Sequence, residues 1–247
     1  MAFTAPRSVP GLRTQTREPP TRFAEFCRPL TLGLSIGHPS GTVGSIGPFV
    51  TFPNGRPGLV GASFVLAPKG VEIGDWIHQP GPYDANLLTG TTRIGKVVDV
   101  AGPPPLQPAR VASATVELID VLTDGNVIPS GSPDAGRRIV RVADPDELAV
   151  GEEVACIGCT SGYSQGVIAD IQMDNLEVGN FKFFGAFGVA AQQGRNFSEA
   201  GDAGALIYRR SDMVALGLLF ARNAEGNQTL ALPLAPALKA LNVTLAV

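Results

Sequence analysis

Glycine and proline interrupt this sequence every few residues, and this spacing limits most of the chain to short strands joined by turns. The chain contains 30 glycines and 21 prolines, which separate short apolar runs. Such punctuation is typical of an all-β protein. The predicted strands are residues 60–67, 96–101, 111–121, 138–142, 153–157, 166–171, 205–208 and 214–221.

One helix is predicted, close to the C-terminus. Residues 234–242 follow Pro233 and place Leu234, Leu238 and Leu241 on one face, at the spacing i, i+4, i+7. We expect this helix to pack against the second of two β halves.

The organisation along the chain follows from its loop-like stretches. Residues 102–108 are rich in proline and predict a stiff surface connector. Residues 124–136 are rich in Gly, Ser, Pro and Asp and are placed at the junction of the two halves. The predicted divisions are an irregular leader at 1–29, a first β-barrel at 30–125, and a second β-barrel with the C-terminal helix at 126–247.

Charge is sparse and unevenly spread. The 247 residues are 44% hydrophobic and only 17% charged, with a net charge of −3, so a partner protein is expected to cover part of the surface. Residues 1–30 hold five arginines and two acids, a net of +3, which leaves 14 basic and 20 acidic residues elsewhere, a net of −6. An acidic body argues against nucleic acid as the main partner. The Arg- and Pro-bearing leader is either a mobile arm or a segment that docks on an acidic surface.

Cysteine content and hydropathy suggest the compartment. Cys27, Cys156 and Cys159 form an odd set without a disulfide pattern, which suits a reducing interior. No apolar run reaches the roughly 18 residues needed to span a bilayer, and the N-terminus lacks the pattern of a secretory signal. We therefore expect a cytoplasmic protein that does not contact a membrane.

Residues Gly201-Asp202-Ala203-Gly204 read like the Gly-Asp-Ser-Gly loop of a trypsin-like serine peptidase with alanine at the nucleophile. Other segments match in the same order, and over roughly residues 30–245 the chain resembles the bacterial branch of the chymotrypsin/trypsin-like serine peptidases. The matching segments are 32–47 (an opening hairpin), 61–67 (the strand that carries the histidine), 74–84 (a loop ending Gln-Pro-Gly-Pro-Tyr-Asp), 197–205 (the nucleophile loop) and 216–221 (the wall of the substrate pocket).

The resemblance implies an all-β fold of two six-stranded-type antiparallel β-barrels, with a cleft between them and a short C-terminal helix. By motif position the catalytic histidine falls on Phe64, the aspartate near Ser113 and the serine on Ala203. Phe64 cannot accept a proton, Ser113 carries no charge at neutral pH, and Ala203 has no nucleophilic oxygen. Loss of one member of such a triad lowers turnover by roughly 10⁴–10⁶. The resemblance thus implies a pseudoprotease.

The rest of the site is expected to persist. Gly201, Asp202, Ala203 and Gly204 would form a remnant oxyanion loop whose N–H groups bind an anion. Gly217, Leu218, Leu219 and Phe220 would form the pocket wall. We expect a protein- or peptide-binding or scaffolding module without cofactor or metal. One form of this expectation is a subunit of a homo- or hetero-oligomer assembled through the leader. The alternatives are an active serine- or cysteine-type hydrolase with a relocated site, and a structural component of a homo-oligomeric particle. A cleft filled by Phe64 that binds nothing also stays open.

Other groups of residues give weaker indications of a functional site. His38 and His78 are the only histidines and are expected to be structural. Cys156 and Cys159 have Cys-x-x-Cys spacing but lack further ligands for zinc, and the resemblance places Cys159 where related proteases have an arginine. The glycines between 37 and 47 precede no helix pattern, so a phosphate loop is not expected. The acids at 144–147 and 152–153 read as a solvated face.

Overall fold

Strands and turns make up most of the molecule, as the sequence predicts. The computed structural model describes residues 22–85, 90–102, 108–178, 181–192, 196–223 and 226–247. Most of the predicted leader, and most of the predicted connector at 102–108, lie outside the described residues. The strands are β1 (Ser35–Ile36), β2 (Gly44–Ser45), β3 (Phe49–Thr51), β4 (Pro57–Ala62), β5 (Trp76–Gln79), β6 (Thr92–Ala101), β7 (Pro108–Ala109), β8 (Ser113–Leu118), β9 (Arg141–Val142), β10 (Glu153–Gly158), β11 (Gly162–Met173), β12 (Leu176–Val178), β13 (Phe181–Phe183), β14 (Ala186–Ala191), β15 (Leu206–Arg209), β16 (Val214–Arg222), β17 (Gln228–Pro233) and β18 (Thr244–Leu245).

The first half of the chain builds a six-stranded antiparallel sheet. Its strand order is β18-β3-β4-β8-β6-β5, and β1 and β2 form a separate hairpin. The predicted strand at 111–121 is shorter in the structure, where β8 covers Ser113–Leu118. The short C-terminal strand β18, which the sequence did not predict, pairs with β3 of this sheet.

The second half of the chain closes into a barrel. Six strands follow the order β15-β10-β11-β14-β17-β16, and β15 pairs with β16 to complete the ring. The predicted strands at 153–157, 166–171, 205–208 and 214–221 all lie within these elements. Of the predicted strand at 138–142, only Arg141–Val142 forms a strand. It pairs in parallel with the start of β16.

Two short helices flank the sheets, and the sequence predicts one of them. The predicted strand 60–67 is wrong in its second part: β4 ends at Ala62, and the helix α1 (Ser63–Leu66) follows. The predicted C-terminal helix is present as α2 (Leu234–Ala240). Two 3-10 turns lie at Arg22–Ala24 and Pro145–Glu147. No helix in the described residues has the length and apolar composition needed to cross a membrane.

The largest hydrophobic core joins the two sheets. It contains Leu59 and Val60 of the first sheet together with Leu206 and Leu218 of the closed barrel. Leu234 and Leu238 of α2 belong to the same core. The helix therefore packs at the junction, whereas the sequence predicts packing against the second barrel. Burial of this face contributes about 25 cal/mol per Å² of apolar surface removed from water.

Two buried polar residues fix the segment that joins the sheets. The Asn126 side chain accepts a hydrogen bond from the Phe49 N–H at 2.8 Å and donates to the carbonyl oxygens of Phe49 and Ala246, each at 2.8 Å. Eight residues later, the Asp134 carboxylate accepts hydrogen bonds from Tyr163 at 2.9 Å and Tyr208 at 3.1 Å. The segment is therefore bonded to the first sheet by one residue and to the closed barrel by the other.

Asp134 is nearly inaccessible and is held as a carboxylate. Arg210 Nε donates to its Oδ2 at 3.0 Å, and Arg137 Nη1 lies 3.2 Å from its Oδ1. Burial raises the pKa of Asp134, but the hydrogen bonds from Arg210, Tyr163 and Tyr208 outweigh burial and hold the pKa below its ordinary value. The same burial, with the charge of Asp134 beside it, raises the pKa of Tyr208.

We predict that Asp134→Asn lowers the free energy of unfolding by about 3 kcal/mol at pH 7, because it leaves the buried Tyr208, the partly buried Tyr163 and Arg210 without their anionic acceptor. Since the folded pKa lies below the unfolded value, this stabilisation is present above pH ~4 and is lost as the pH falls further. Urea unfolding of the parent and the variant, at several pH values from neutral to acidic, measures the difference in their free energies of unfolding.

The matched control is Asp124→Asn, which changes an exposed carboxylate in the same segment and is expected to cost less than about 0.5 kcal/mol. A difference between Asp134→Asn and the parent that stays constant down to the lowest pH would contradict the assigned charge state.

Candidate functional site

A buried carboxylate shapes the loop around Ala203. Asp202 is fully inaccessible to solvent. Its Oδ1 accepts hydrogen bonds from the N–H groups of Thr160 at 2.8 Å and Ser161 at 3.2 Å, and its Oδ2 accepts one from Glu199 at 2.7 Å. These three amides compensate the lost hydration of the carboxylate. Gly158 is required beneath it, because a Cβ there would overlap Oδ1 and Cγ of Asp202.

The two glycines of the motif are dictated by backbone conformation and space. Gly201 has φ +108°, and a Cβ at this position would overlap Thr160 Oγ1. Gly204 has φ +91°, and its Cβ would lie 2.9 Å from the Ser45 carbonyl oxygen. Both φ values fall where a side chain is strained, so glycine is needed at each position.

The loop is bonded directly to the first half of the chain. The Ser45 N–H of β2 donates to the Ala203 carbonyl oxygen at 2.8 Å. The Ser45 Oγ donates to the Gly201 carbonyl at 3.3 Å and accepts from the Cys159 N–H at 2.9 Å. Ala203 therefore lies at the contact between the opening hairpin and the closed barrel.

Helix α1 presents Phe64 at the surface. The Ser63 N–H donates to the Ala112 carbonyl at 2.9 Å, which fixes the start of the helix against the start of β8. Val65 and Leu66 are buried, whereas Phe64 is 42% exposed. A large aromatic side chain that stays exposed beside buried neighbours is available for contact with a partner.

The structure brings the three predicted triad segments together around one residue. Ala62 pairs with Ser113, the buried first residue of β8, and comes two residues before Phe64. The Ala62 nitrogen also lies 3.2 Å from the Cβ position of Gly204, the neighbour of Ala203. The assignment of each position to a member of a triad stays a prediction.

The loop also offers hydrogen-bond donors. Among the described residues, the N–H groups of Gly201 and Ala203 have no acceptor. Both residues are partly exposed, so these two amides can bind an oxygen atom from solvent or from a partner.

The predicted pocket wall lies along β16, and its side chains are buried in the protein. Leu218, Leu219 and Phe220 belong to three different hydrophobic cores. The Phe220 ring lies 4.9 Å from the ring of Phe183. Gly217 leaves room for Phe187, whose ring would be 2.6 Å from a Cβ there. The Leu219 carbonyl accepts the Gly204 N–H at 2.8 Å, which bonds this strand to the loop.

An ion pair joins the loop to the end of the same strand. Arg222 Nη1 lies 3.5 Å from Glu199 Oε2, and Arg222 Nη2 donates to the Gly226 carbonyl. The hydroxyls of Ser198, in the loop, and Thr229, in β17, are buried and lie 2.7 Å apart. The space between the loop and the strand is therefore bridged by charged and hydroxyl groups.

His78 lies on β5 of the first sheet, and His38 follows Gly37, whose backbone bridges to His78. Gly37 N–H donates to the His78 carbonyl at 3.2 Å, and His78 N–H donates to the Gly37 carbonyl at 3.0 Å. Burial, Arg93 and His38 together lower the pKa of His78, whose Nδ1 lies 2.8 Å from Thr91 Oγ1. This histidine is held in its neutral form.

His38 contacts both a hydroxyl and a carboxylate. Its Nδ1 accepts the Ser40 N–H at 3.1 Å and lies 2.8 Å from Ser40 Oγ, and its Nε2 lies 3.5 Å from Asp75 Oδ2. The backbone donor makes Nδ1 an acceptor, so the proton of the neutral ring is on Nε2, facing Asp75. The sequence did not predict this Ser–His–Asp contact.

Two of the three cysteines, Cys156 and Cys159, are poor nucleophiles. Cys27, Cys156 and Cys159 are free thiols. Burial and the nearby charge of Asp202 raise the pKa of Cys156, and they raise that of Cys159 to about 12. Thiols with raised pKa values are unreactive at neutral pH. No cluster of three or more potential metal ligands occurs in the part of the chain that the structure describes.

Part of the predicted acidic face is paired with arginines. Hydrogen bonds from Arg141 and from the Asp144 amide lower the pKa of Glu147 to about 2. Glu152 Oε1 lies 2.9 Å from Arg209 Nη1, and Arg209 also pairs with Asp212. These acids belong to a surface ion-pair network.

Comparison with known proteins identifies the fold. No family model and no curated protein matches the chain. Solved structures of bacterial serine proteases do match. A Nocardiopsis protease (NAPase) has a TM-score of 0.65 and 16% identity over 88% of this chain and 98% of its own. Thermobifida fusca protease A has a TM-score of 0.64 and 16% identity over 88% and 100% of the two chains. A glutamic acid-specific serine protease has a TM-score of 0.64 and 18% identity over 88% and 100%.

The chain therefore has the trypsin-like double-barrel fold that the motifs predicted. At these identities the likeness establishes the architecture, and the chemistry depends on the residues of this chain.

We predict that Asp202→Asn lowers the free energy of unfolding by about 2–4 kcal/mol, because an amide NH₂ must then face a backbone N–H in a buried site. Chemical denaturation measures the change. Asp99→Asn is the matched control, since Asp99 is exposed and accepts only the N–H of the next residue, and it is expected to cost less than about 0.5 kcal/mol. Equal effects of the two substitutions would show that the buried amide contacts do not hold the loop.

Proposed function

We propose that the chain is a catalytically inactive protein with a serine-protease fold that acts as a protein- or peptide-binding module. The observation that carries this proposal is the loop around Ala203, which keeps its buried Asp202 and two available amides while its central side chain is a methyl group. A methyl group cannot attack a carbonyl, and neither Phe64 nor Ser113 accepts a proton as a histidine does.

The same features favour binding. The amides of Gly201 and Ala203 suit a carbonyl or carboxylate oxygen, and the exposed ring of Phe64 offers apolar surface on the neighbouring segment. A peptide supplies both an oxygen acceptor and apolar side chains, so it is the ligand class we propose. The positively charged leader remains a proposed second contact with the partner or with another copy. We place the protein in the cytoplasm, which its free thiols support.

A hydrolase with a relocated site is the second candidate, and the contact of His38 with Ser40 and Asp75 favours it. In such a site Nδ1 of His38 takes the proton of Ser40 Oγ as that oxygen attacks an ester carbonyl, and Asp75 stabilises the imidazolium. Among the described residues, no second histidine contacts a serine or a cysteine.

We predict that a fluorophosphonate probe does not label the parent protein, because residue 203 of the loop carries a methyl group in place of a nucleophilic oxygen. Intact-mass measurement detects the adduct, and peptide mapping locates it. Label on Ser40 would support the second candidate and overturn the first. The triple variant Phe64→His, Ser113→Asp, Ala203→Ser is the positive control and is expected to be labelled at residue 203 if the assigned positions match a triad.

We predict that the parent protein binds some members of a library of N-acetylated, C-amidated octapeptides and that Phe64→Glu weakens their binding by at least tenfold, or about 1.4 kcal/mol. Fluorescence polarisation measures it. Leu122→Glu, which adds the same charge at a residue 79% exposed elsewhere on the first half, is the matched control. No binding by any peptide would contradict the peptide-binding proposal.

A further inference from the structure

A second candidate binding site lies in the closed barrel. It is a cavity of about 320 Å³, and none of its lining residues belongs to the loop around Ala203. Its walls come from β11, β14, the 3-10 turn at Pro145–Glu147, the start of α2 and the segment before β8. This volume lies at the lower end of the range for small-molecule sites.

The floor of the cavity is apolar. Its lining includes Leu148, Ile171, Phe187, Pro233 and Pro236. Leu148 and Phe187 are buried members of one hydrophobic core, against which Ile171 packs. The two proline nitrogens carry no hydrogen, so this floor favours an apolar group over a polar one.

The rim of the cavity carries charges of both signs that do not pair with each other. The guanidinium of Arg110 lies 4.5 Å from the centroid of the Phe184 ring and makes no ion pair with a described residue. Within the described ranges, Asp174 accepts only the Gly185 N–H, at 2.8 Å on Oδ1. Asp146 has no hydrogen bond or ion pair among the residues that the structure describes. An arginine whose guanidinium stacks on an aromatic ring keeps its N–H groups, which lie in the guanidinium plane, free to bind a ligand.

The backbone of β11 is irregular where this strand lines the cavity. Gln172, which also lines the cavity, has φ +54°, and the pairing of β11 with β14 shifts register between Asp170 and Met173. Such bulges redirect side chains, and here Met173 packs into a hydrophobic core while its neighbour Asp174 lines the cavity.

We propose that this cavity binds a zwitterionic ligand with an apolar body, of the size of a free hydrophobic α-amino acid. Its carboxylate would bind Arg110, its ammonium group would bind Asp146 and Asp174, and its side chain would cover the floor. A simple anion would face two carboxylates, a metal ion would face a guanidinium, and an uncharged apolar ligand would leave all three charges without a partner.

Isothermal titration calorimetry of the full chain tests the proposal with L-phenylalanine and L-leucine. For ligands of this size we expect a Kd on the order of 1 mM or lower. N-acetyl-L-phenylalanine lacks the ammonium group and L-phenylalaninamide lacks the carboxylate, so each is expected to bind at least tenfold more weakly. Glycine lacks the apolar body and is expected to bind as poorly.

Arg110→Gln is expected to weaken L-phenylalanine at least tenfold and to leave the weak binding of L-phenylalaninamide unchanged. Arg93→Gln is the matched control, because Arg93 also stacks on an aromatic ring, 5.0 Å from Trp76, outside the cavity. Thermal denaturation verifies that both variants fold. The proposal is overturned if neither amino acid binds at concentrations about tenfold above the expected Kd, if the blocked analogues bind as tightly, or if both arginine variants lose binding equally.

Discussion

The buried carboxylate of Asp202 is the constraint on which the candidate site depends. Three backbone amides satisfy it, and the space it needs requires glycine at position 158. The loop that it fixes is bonded through the Ala203 carbonyl to Ser45 of the opening hairpin. None of these contacts uses the side chain at position 203. The shape of this loop is therefore determined by the carboxylate, the amides and the glycines.

The two halves are joined by more than the loop. Asn126 bonds the connecting segment to Phe49 and Ala246, whereas Asp134 bonds it to the tyrosines of the closed barrel. The C-terminal strand returns to the first sheet, and α2 packs into the core that both halves share. Because a buried polar network of this kind is costly to break at one point, it fixes the connecting segment against both halves.

The sequence predicts the positions of the strands better than it predicts contacts between residues that are distant along the chain. Short apolar runs between glycines and prolines locate most strands of the closed barrel, and the leucine spacing locates α2. Residues 60–67 form one apolar run, and periodicity cannot separate a short buried strand from a helical turn, so α1 was missed. The Gly-Asp-Ala-Gly motif identifies the loop, but two of the three amides that hold Asp202 lie about 40 residues away and have no sequence signal. The composition of residues 124–136 indicates a junction, but it does not show that Asp134 is the residue buried against the closed barrel.

The distribution of donors and acceptors around Ala203 separates binding from reaction. A reaction needs a group that changes its bonding, and the methyl of Ala203, the ring of Phe64 and the hydroxyl of Ser113 give no acid–base pair. Binding needs only fixed donors and apolar surface, and the amides of Gly201 and Ala203 with the ring of Phe64 supply them. The carboxylate of Asp202 fixes the loop through backbone amides and makes no use of the side chain at position 203. In the proposed function the loop therefore binds a carbonyl oxygen that it cannot attack.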